Sequence, residues 1–212
     1  MIKNIIFDLG GVLLNVEMKK TIEAFARLRW KETDQQGNSQ TRLAVFENLE
    51  TGADSQIRFR ENIRKMLPGR PAADEIDHAW NAMLLGFFPG TVDYLSELKS
   101  GYSLYLLSNT NILHLKHFRA IFFNDYGFPI DKLFKKTYYS HEIGFRKPNP
   151  MAYLKVLEDA ALIPGKTLFV DDLKANTDAA AELGMKVLNI EAGTLLKSLP
   201  DYLRRQTGRL GD

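Results

Sequence analysis

The chain has 212 residues, 45% of them hydrophobic, with 28 Lys and Arg against 26 Asp and Glu for a net charge of +2. That length fits one sizeable domain or a core with a smaller module, and the composition is that of a folded rather than a disordered chain. The near balance of charge gives no case for a nucleic-acid partner, and the absence of cysteine excludes disulfides and thiol catalysis.

The N-terminus enters an apolar run directly, without a signal-peptide pattern. No run approaches the ~18 apolar residues of a membrane span. The expectation is a cytoplasmic protein with no membrane partner, a monomer or homodimer. Residues 4–10 read as a buried strand in which Ile5-Ile6-Phe7 closes on Asp8, followed by Gly10-Gly11. A carboxylate at the C-terminal end of such a strand sits where open α/β sheets bind ligands. The plainer reading is an ordinary Asp-x-Gly turn.

Residues 16–88 change character. Glu17 to Trp30 has helical periodicity, with Ile22, Phe25 and Leu28 on one face. Thr33 to Gln40 reads as a loop and Thr41 to Leu49 as a helix broken by Thr51-Gly52. Asp54 or Ser55 is an N-cap for a helix through Ile57, Phe59, Ile63 and Met66. After the turn Pro68–Pro71 a further helix is expected from Asp74 to Leu85, ending near Gly86. The block is read as wholly helical, a cap inserted between a core of residues 1–15 and 89–212. Its hinges fall near Asn15–Glu17 and Phe88–Gly90.

From Gly90 helices and strands alternate. Helices are expected over 91–99, 112–123, 150–162, 174–183 and 194–205, and strands over 102–107, 136–139, 167–170 and 186–190. Alternation implies right-handed βαβ units. The fold class is α/β: a Rossmann-like parallel sheet core with helices on both faces and an inserted helical-bundle cap. No GxGxxG follows any strand, so the dinucleotide fingerprint is missing. The basic tail Arg204–Arg209 is read as a solvated end.

Polar groups fall just past a strand end or loop start at four places: Asp8, Ser108-Asn109, Lys147 in Arg146-Lys147-Pro148, and Asp171-Asp172. A parallel sheet brings its strand C-termini to one edge, where these groups can converge. Singly each has a plainer reading: a turn or N-cap for Ser108, a solvated charge for Lys147, a helix cap for the acid pair. In this order and context the set resembles the haloacid dehalogenase superfamily of phosphohydrolases. Within it, Asp8–Val12, Leu107–Asn111 and Arg146–Pro148 are similar to the branch containing bacterial α-D-glucose-1-phosphatase.

The resemblance implies a Mg²⁺-dependent phosphomonoester hydrolase acting on a small phosphorylated metabolite. Asp8 would be nucleophile and metal ligand, forming an aspartyl-phosphate. The carbonyl of Gly10 and Asp172 would bind the ion directly, and Asp171 through water. Ser108, the Asn109 backbone N–H and Lys147 would hold phosphate. Charge counting agrees with a cation: three aspartates and a phosphate dianion bring −5, which Mg²⁺ and Lys147 offset by +3. Asn176 is a candidate to orient the acids or Lys147.

Most phosphatases of this superfamily carry a second Asp two residues after the nucleophile, as general acid and base. Here that position is Gly10. Acid–base help is worth ~10²–10⁴-fold. Glu17, near in sequence, is a candidate replacement. Alternatively the substrate is a sugar 1-phosphate, whose anomeric oxygen leaves easily. The competing functions are a 2-haloacid dehalogenase, disfavoured because Asp171-Asp172 would repel a carboxylate substrate, and a catalytically idle binding protein. A mutase would need the missing acid. His78, His114, His117 and His141 lack ligand-like spacing, so none is assigned to metal. Trp80, Phe87 and Phe88 are expected in core or hinge packing.

Overall fold

The structure is a computed structural model, described over residues 1–29 and 39–206. In chain order its elements are β1 (Asn4–Phe7), β2 (Leu14–Val16), α1 (Met18–Arg27), α2 (Ser39–Glu50), α3 (Gln56–Met66), α4 (Ala73–Asn81) and β3 (Leu84–Phe87). There follow α5 (Thr91–Leu98), β4 (Ser103–Ser108), α6 (Ile112–Tyr126), β5 (Lys136–Tyr139), α7 (Ser140–Ile143) and α8 (Pro150–Asp159). The chain closes with β6 (Thr167–Asp171), α9 (Lys174–Glu182), β7 (Lys186–Asn189) and α10 (Leu195–Gln206). Trp30 and most of the expected loop from Thr33 lie outside the described residues, as does the tail beyond Gln206.

Five strands pair in the order β5-β4-β1-β6-β7, all parallel, with β1 central. The expected α/β core is observed. Alternation along the strands explains why helices cover both faces. Ile5 and Phe7 of β1, Leu104 and Leu106 of β4, and Leu168 and Val170 of β6 point to one side, where α5, α6 and α10 pack. Ile6, Tyr105, Leu107 and Phe169 point to the other, against Tyr153, Val156 and Leu157 of α8 and Ala180 of α9. The strand C-termini therefore share one edge, and the turn residues after β1, β4 and β6 line it.

Helices α1 to α4 build their own apolar cluster, with Phe59, Ile63 and Ile76 fully buried. Trp80 sits at its margin, stacked on Phe46 at 4.7 Å and on the His114 ring of α6 at 4.8 Å. Leu113 of α6 also joins this cluster. Asn111 caps α6 by accepting from the Leu113 and His114 backbone N–H groups, both at 3.0 Å, a cap worth ~1 kcal/mol. It thereby fixes the helix that meets both clusters.

The expectation that residues 16–88 contain no strand is corrected. β2 and β3 form a two-stranded antiparallel ribbon where the chain leaves and re-enters the core. The last helix of the block stops at Asn81, not Leu85. Leu84-Leu85-Gly86-Phe87 becomes strand, because its backbone partners lie on the outgoing segment: Leu14 pairs with Phe87 and Asn15 with Gly86. Phe87 packs edge-on to Phe122, and Phe88 lies against Gly193, as expected of packing residues. Among the described residues, no helix is long and apolar enough to cross a membrane.

Candidate active site

Asp8 follows the central strand, and its backbone N–H still donates to Val170 of β6 at 2.9 Å. The chain then folds back tightly, the N–H groups of Leu13 and Leu14 both reaching the Leu9 carbonyl at 2.8 Å. Gly11 adopts φ 73° in this turn, and a Cβ there would stand 2.2 Å from Asp172 Oδ2. Only glycine tolerates both the angle and the approach, so the Gly11 position lets the Asp172 carboxylate close over the loop.

Lys147 joins the set. Its Nζ donates to Asp8 Oδ1 at 2.6 Å and to Asp171 Oδ2 at 2.7 Å, with the residue 2% exposed. The Lys147–Pro148 peptide is cis. Asn109 grips the Lys147 backbone with both ends of its amide: Nδ2 donates to the Lys147 carbonyl and Oδ1 accepts from the Lys147 N–H, each at 2.8 Å. Sequence reasoning gave Asn109 a backbone role alone and missed this clamp, which needs two loops 38 residues apart to meet.

Asp171 is fully buried and its oxygens are occupied. Besides Lys147, Asn176 Nδ2 donates to both oxygens at 3.0 Å and the Leu173 N–H to Oδ1 at 2.8 Å. Asn176 is itself tied down, its backbone carbonyl accepting from the Tyr153 hydroxyl at 2.8 Å. Asn176 thus orients Asp171, one of the two roles expected of it, and Tyr153 is a supporting residue the sequence did not single out. No side-chain donor among the described residues reaches Asp172, which is half-buried and lines the open cleft. Ser108 is buried at the end of β4.

A cleft of about 370 Å³ opens over these groups, lined by Asp8, Gly10, Gly11, Asn109, Lys147 and Asp172 among others. One oxygen of each of Asp8, Asp171 and Asp172 falls within 4.8 Å of the other two. Burial pushes the Asp8 carboxyl up to about 7 against the pull of Lys147, with Asp171 adding to the rise. Asp172 is also raised, by burial and then by Asp171. Burial opposes the Lys147 charge, but the attraction of Asp8 and Asp171 outweighs it and holds the ammonium above its usual value. Three carboxylates against one ammonium leave a formal −2. Such a cluster is short of positive charge.

The sequence profile of the family described as haloacid dehalogenase-like hydrolase matches residues 2–184. The chain belongs to the haloacid dehalogenase-like hydrolases. It is 33% identical to a D-ribitol-5-phosphate phosphatase of Bacteroides thetaiotaomicron over 91% of this chain and 94% of that one. A crystal structure of a HAD family enzyme from the same organism, a magnesium complex, superposes with a TM-score of 0.86 at 34% identity, covering 93% of this chain and 98% of that one. A HAD-like family hydrolase of Porphyromonas gingivalis gives 0.86 at 30% identity, over 97% and 98%.

Against the haloacid dehalogenase-like pattern, Gly10 remains the departure. It lines the cleft without a side chain, and a Cβ there would meet Val16 Cγ2 at 3.3 Å. Glu17 is not among the residues that line the cleft, although its neighbours Val16 and Met18 are. It stands at the start of α1, half-exposed and 3.9 Å from Lys20. Among the described residues the one cluster suited to a metal is the three aspartates, and no histidine joins it. His114 is buried; its Nε2 lies 3.1 Å from the Trp80 carbonyl, and burial pushes it down to about 4. It is a neutral donor to that carbonyl.

Proposed function

We propose that this hydrolase is a Mg²⁺-dependent phosphomonoester phosphatase acting through an aspartyl-phosphate on a small phosphorylated polyol or sugar. The observation that carries the reading is Lys147 Nζ bridging Asp8 and Asp171 beside an Asp172 carboxyl that only backbone N–H groups engage. An all-oxygen, anionic donor set with an open side fits Mg²⁺, which favours carboxylate, phosphate and water. Asp8, the Gly10 carbonyl and Asp172 would hold the ion, with Asp171 behind water because its own oxygens are already taken. When bound, the ion supplies charge neutralisation at the phosphoryl oxygens.

The chain's own residues do the rest. Asp8 Oδ attacks phosphorus in line, the P–O bond to the alcohol breaks, and the leaving oxygen takes its proton from water. Lys147 keeps Asp8 aimed and offsets its charge, as a point cation able to touch phosphate as well. The Ser108 hydroxyl and Asn109 N–H donate to phosphoryl oxygens. Water then releases phosphate and restores Asp8. Residues 16–88 act as the cap that excludes bulk water and touches the substrate's tail.

The substrate class rests on the D-ribitol-5-phosphate phosphatase relative. A sugar 1-phosphate is the second reading, favoured by Gly10, since an anomeric oxygen needs less protonation on leaving. Turnover of ribitol 5-phosphate and glucose 1-phosphate, each with Mg²⁺ and with excess chelator, tests both readings. Hydrolysis that stops with chelator is expected, faster for the polyol ester. Undiminished turnover in chelator would remove the metal, and a preference for the 1-phosphate would select the second reading.

A further inference from the structure

Next to the cleft over Asp8 lies a second, smaller cavity of about 140 Å³. Gly10, Val16, Met18 and Asn109 line both, so the two spaces meet at the nucleophile loop. With phosphorus over Asp8, this is the space open to the alcohol portion of an ester. Its wall is mostly apolar, with Trp80 prominent, and its polar groups include Ser108, His114 and Glu50.

Glu50 is the last residue of α2, in the helical block. His114 is neutral, so Glu50 is the one charged side chain on this wall, and no Lys or Arg among the described residues lines it. The nearest cation is Arg146, the neighbour of Lys147. It is committed, Nη1 lying 2.8 Å from Glu47 Oε1 and Nη2 lying 3.1 Å from Glu50 Oε2. Oε1 of Glu50 has no partner among the described residues. Burial lifts the Glu50 carboxyl; Arg146 pulls it back and Glu47 lifts it further.

We propose that Glu50 is a specificity-determining residue that selects phosphate esters of neutral polyhydroxy alcohols and rejects esters whose tail carries a carboxylate or a second phosphate. The assignment rests on the phosphatase reading above. A hydroxyl of a polyol tail donates to Glu50 Oε1, a charge-assisted bond to an acceptor that Arg146 has already oriented. An anionic tail meets a like charge in a small, largely apolar cavity and finds no cation to offset it. Gly10 lines both spaces without a side chain.

The test compares kcat/KM for ribitol 5-phosphate and for 4-phosphoerythronate, a carboxylate-ended ester of similar length, at one and the same pH. The wild type is expected to favour the polyol ester by about 100-fold or more. In Glu50→Gln the charge is gone but the size is kept. That ratio is expected to narrow at least about tenfold, through a higher KM for the polyol and faster turnover of the acid. Glu50→Asp keeps the charge and holds more of the ratio. Glu47→Gln removes the other partner of Arg146 and keeps the wild-type ratio.

An unchanged ratio in Glu50→Gln, with thermal unfolding showing a folded variant, would overturn the assignment. So would an equal narrowing in Glu47→Gln, which would trace the effect to the Arg146 pairing. Wild-type protein that hydrolyses no phosphate ester at all would instead overturn the phosphatase reading beneath it.

Discussion

Asp8→Asn is expected to lower kcat on any phosphate ester by at least about 10³-fold, because the amide cannot form the phosphoryl intermediate. The same variant is expected to keep the fold, and in chelator to lose a pH dependence that the wild type shows. In the metal-free protein burial raises the Asp8 carboxyl from 3.8 to about 7. The folded state then holds a proton that the unfolded chain gives up. The stability this brings is fully present below 3.8 and is lost as pH rises through about 7. Asparagine does not titrate, so the fall in unfolding temperature across that window should be shallower in the variant. Thermal unfolding in chelator at several pH values, run beside turnover assays, reads both effects. A variant that retains a tenth or more of the turnover would displace Asp8 from its role.

Lys147→Met separates the two jobs of the buried ammonium. The substitution keeps an unbranched chain of similar length and leaves Asp8 and Asp171 without the cation that now lies 2.6 and 2.7 Å from them. Removing one partner of a buried pair costs ~3–5 kcal/mol, so the unfolding temperature should fall sharply in chelator. The formal charge of the cluster goes from −2 to −3. Mg²⁺ should therefore bind the variant more tightly and restore part of the lost stability, while inorganic phosphate binds more weakly. Turnover is expected to drop about 10²–10³-fold, the range for losing one charge-stabilising donor. Weaker Mg²⁺ binding in the variant would mean that Lys147 organises the carboxylates rather than offsetting them.

The sequence carried the parallel sheet because its three inner strands centre on contiguous apolar runs, and a run such as Ile5-Ile6-Phe7 or Leu168-Phe169-Val170 needs no tertiary information to recognise. Asp8, Ser108, Lys147 and the acid pair were legible for the same reason: each sits at the end of a visible run or beside a proline. The ribbon of β2 and β3 was not. Leu14-Asn15-Val16 is three residues long, and Leu84-Leu85-Gly86-Phe87 continues a helical apolar pattern. Only their pairing makes them strands.

Closeness in sequence alone points to Glu17, whose side chain stands beside Lys20 at the half-exposed start of α1. The Asn109 clamp, Tyr153 behind Asn176, and Glu50 in the second cavity all depend on segments far apart in the chain. No local signal marks them. Their counterpart in one sequence is only an amide, a phenol and a carboxylate of ordinary type.

The central claim is a double displacement at phosphorus through Asp8. The stereochemical course of hydrolysis of a phosphorothioate ester, chiral through two different oxygen isotopes at phosphorus and hydrolysed in water of the third isotope, tests it most directly. Two in-line displacements, first by Asp8 and then by water, predict overall retention of configuration. Inversion would mean direct attack by water and would contradict the account.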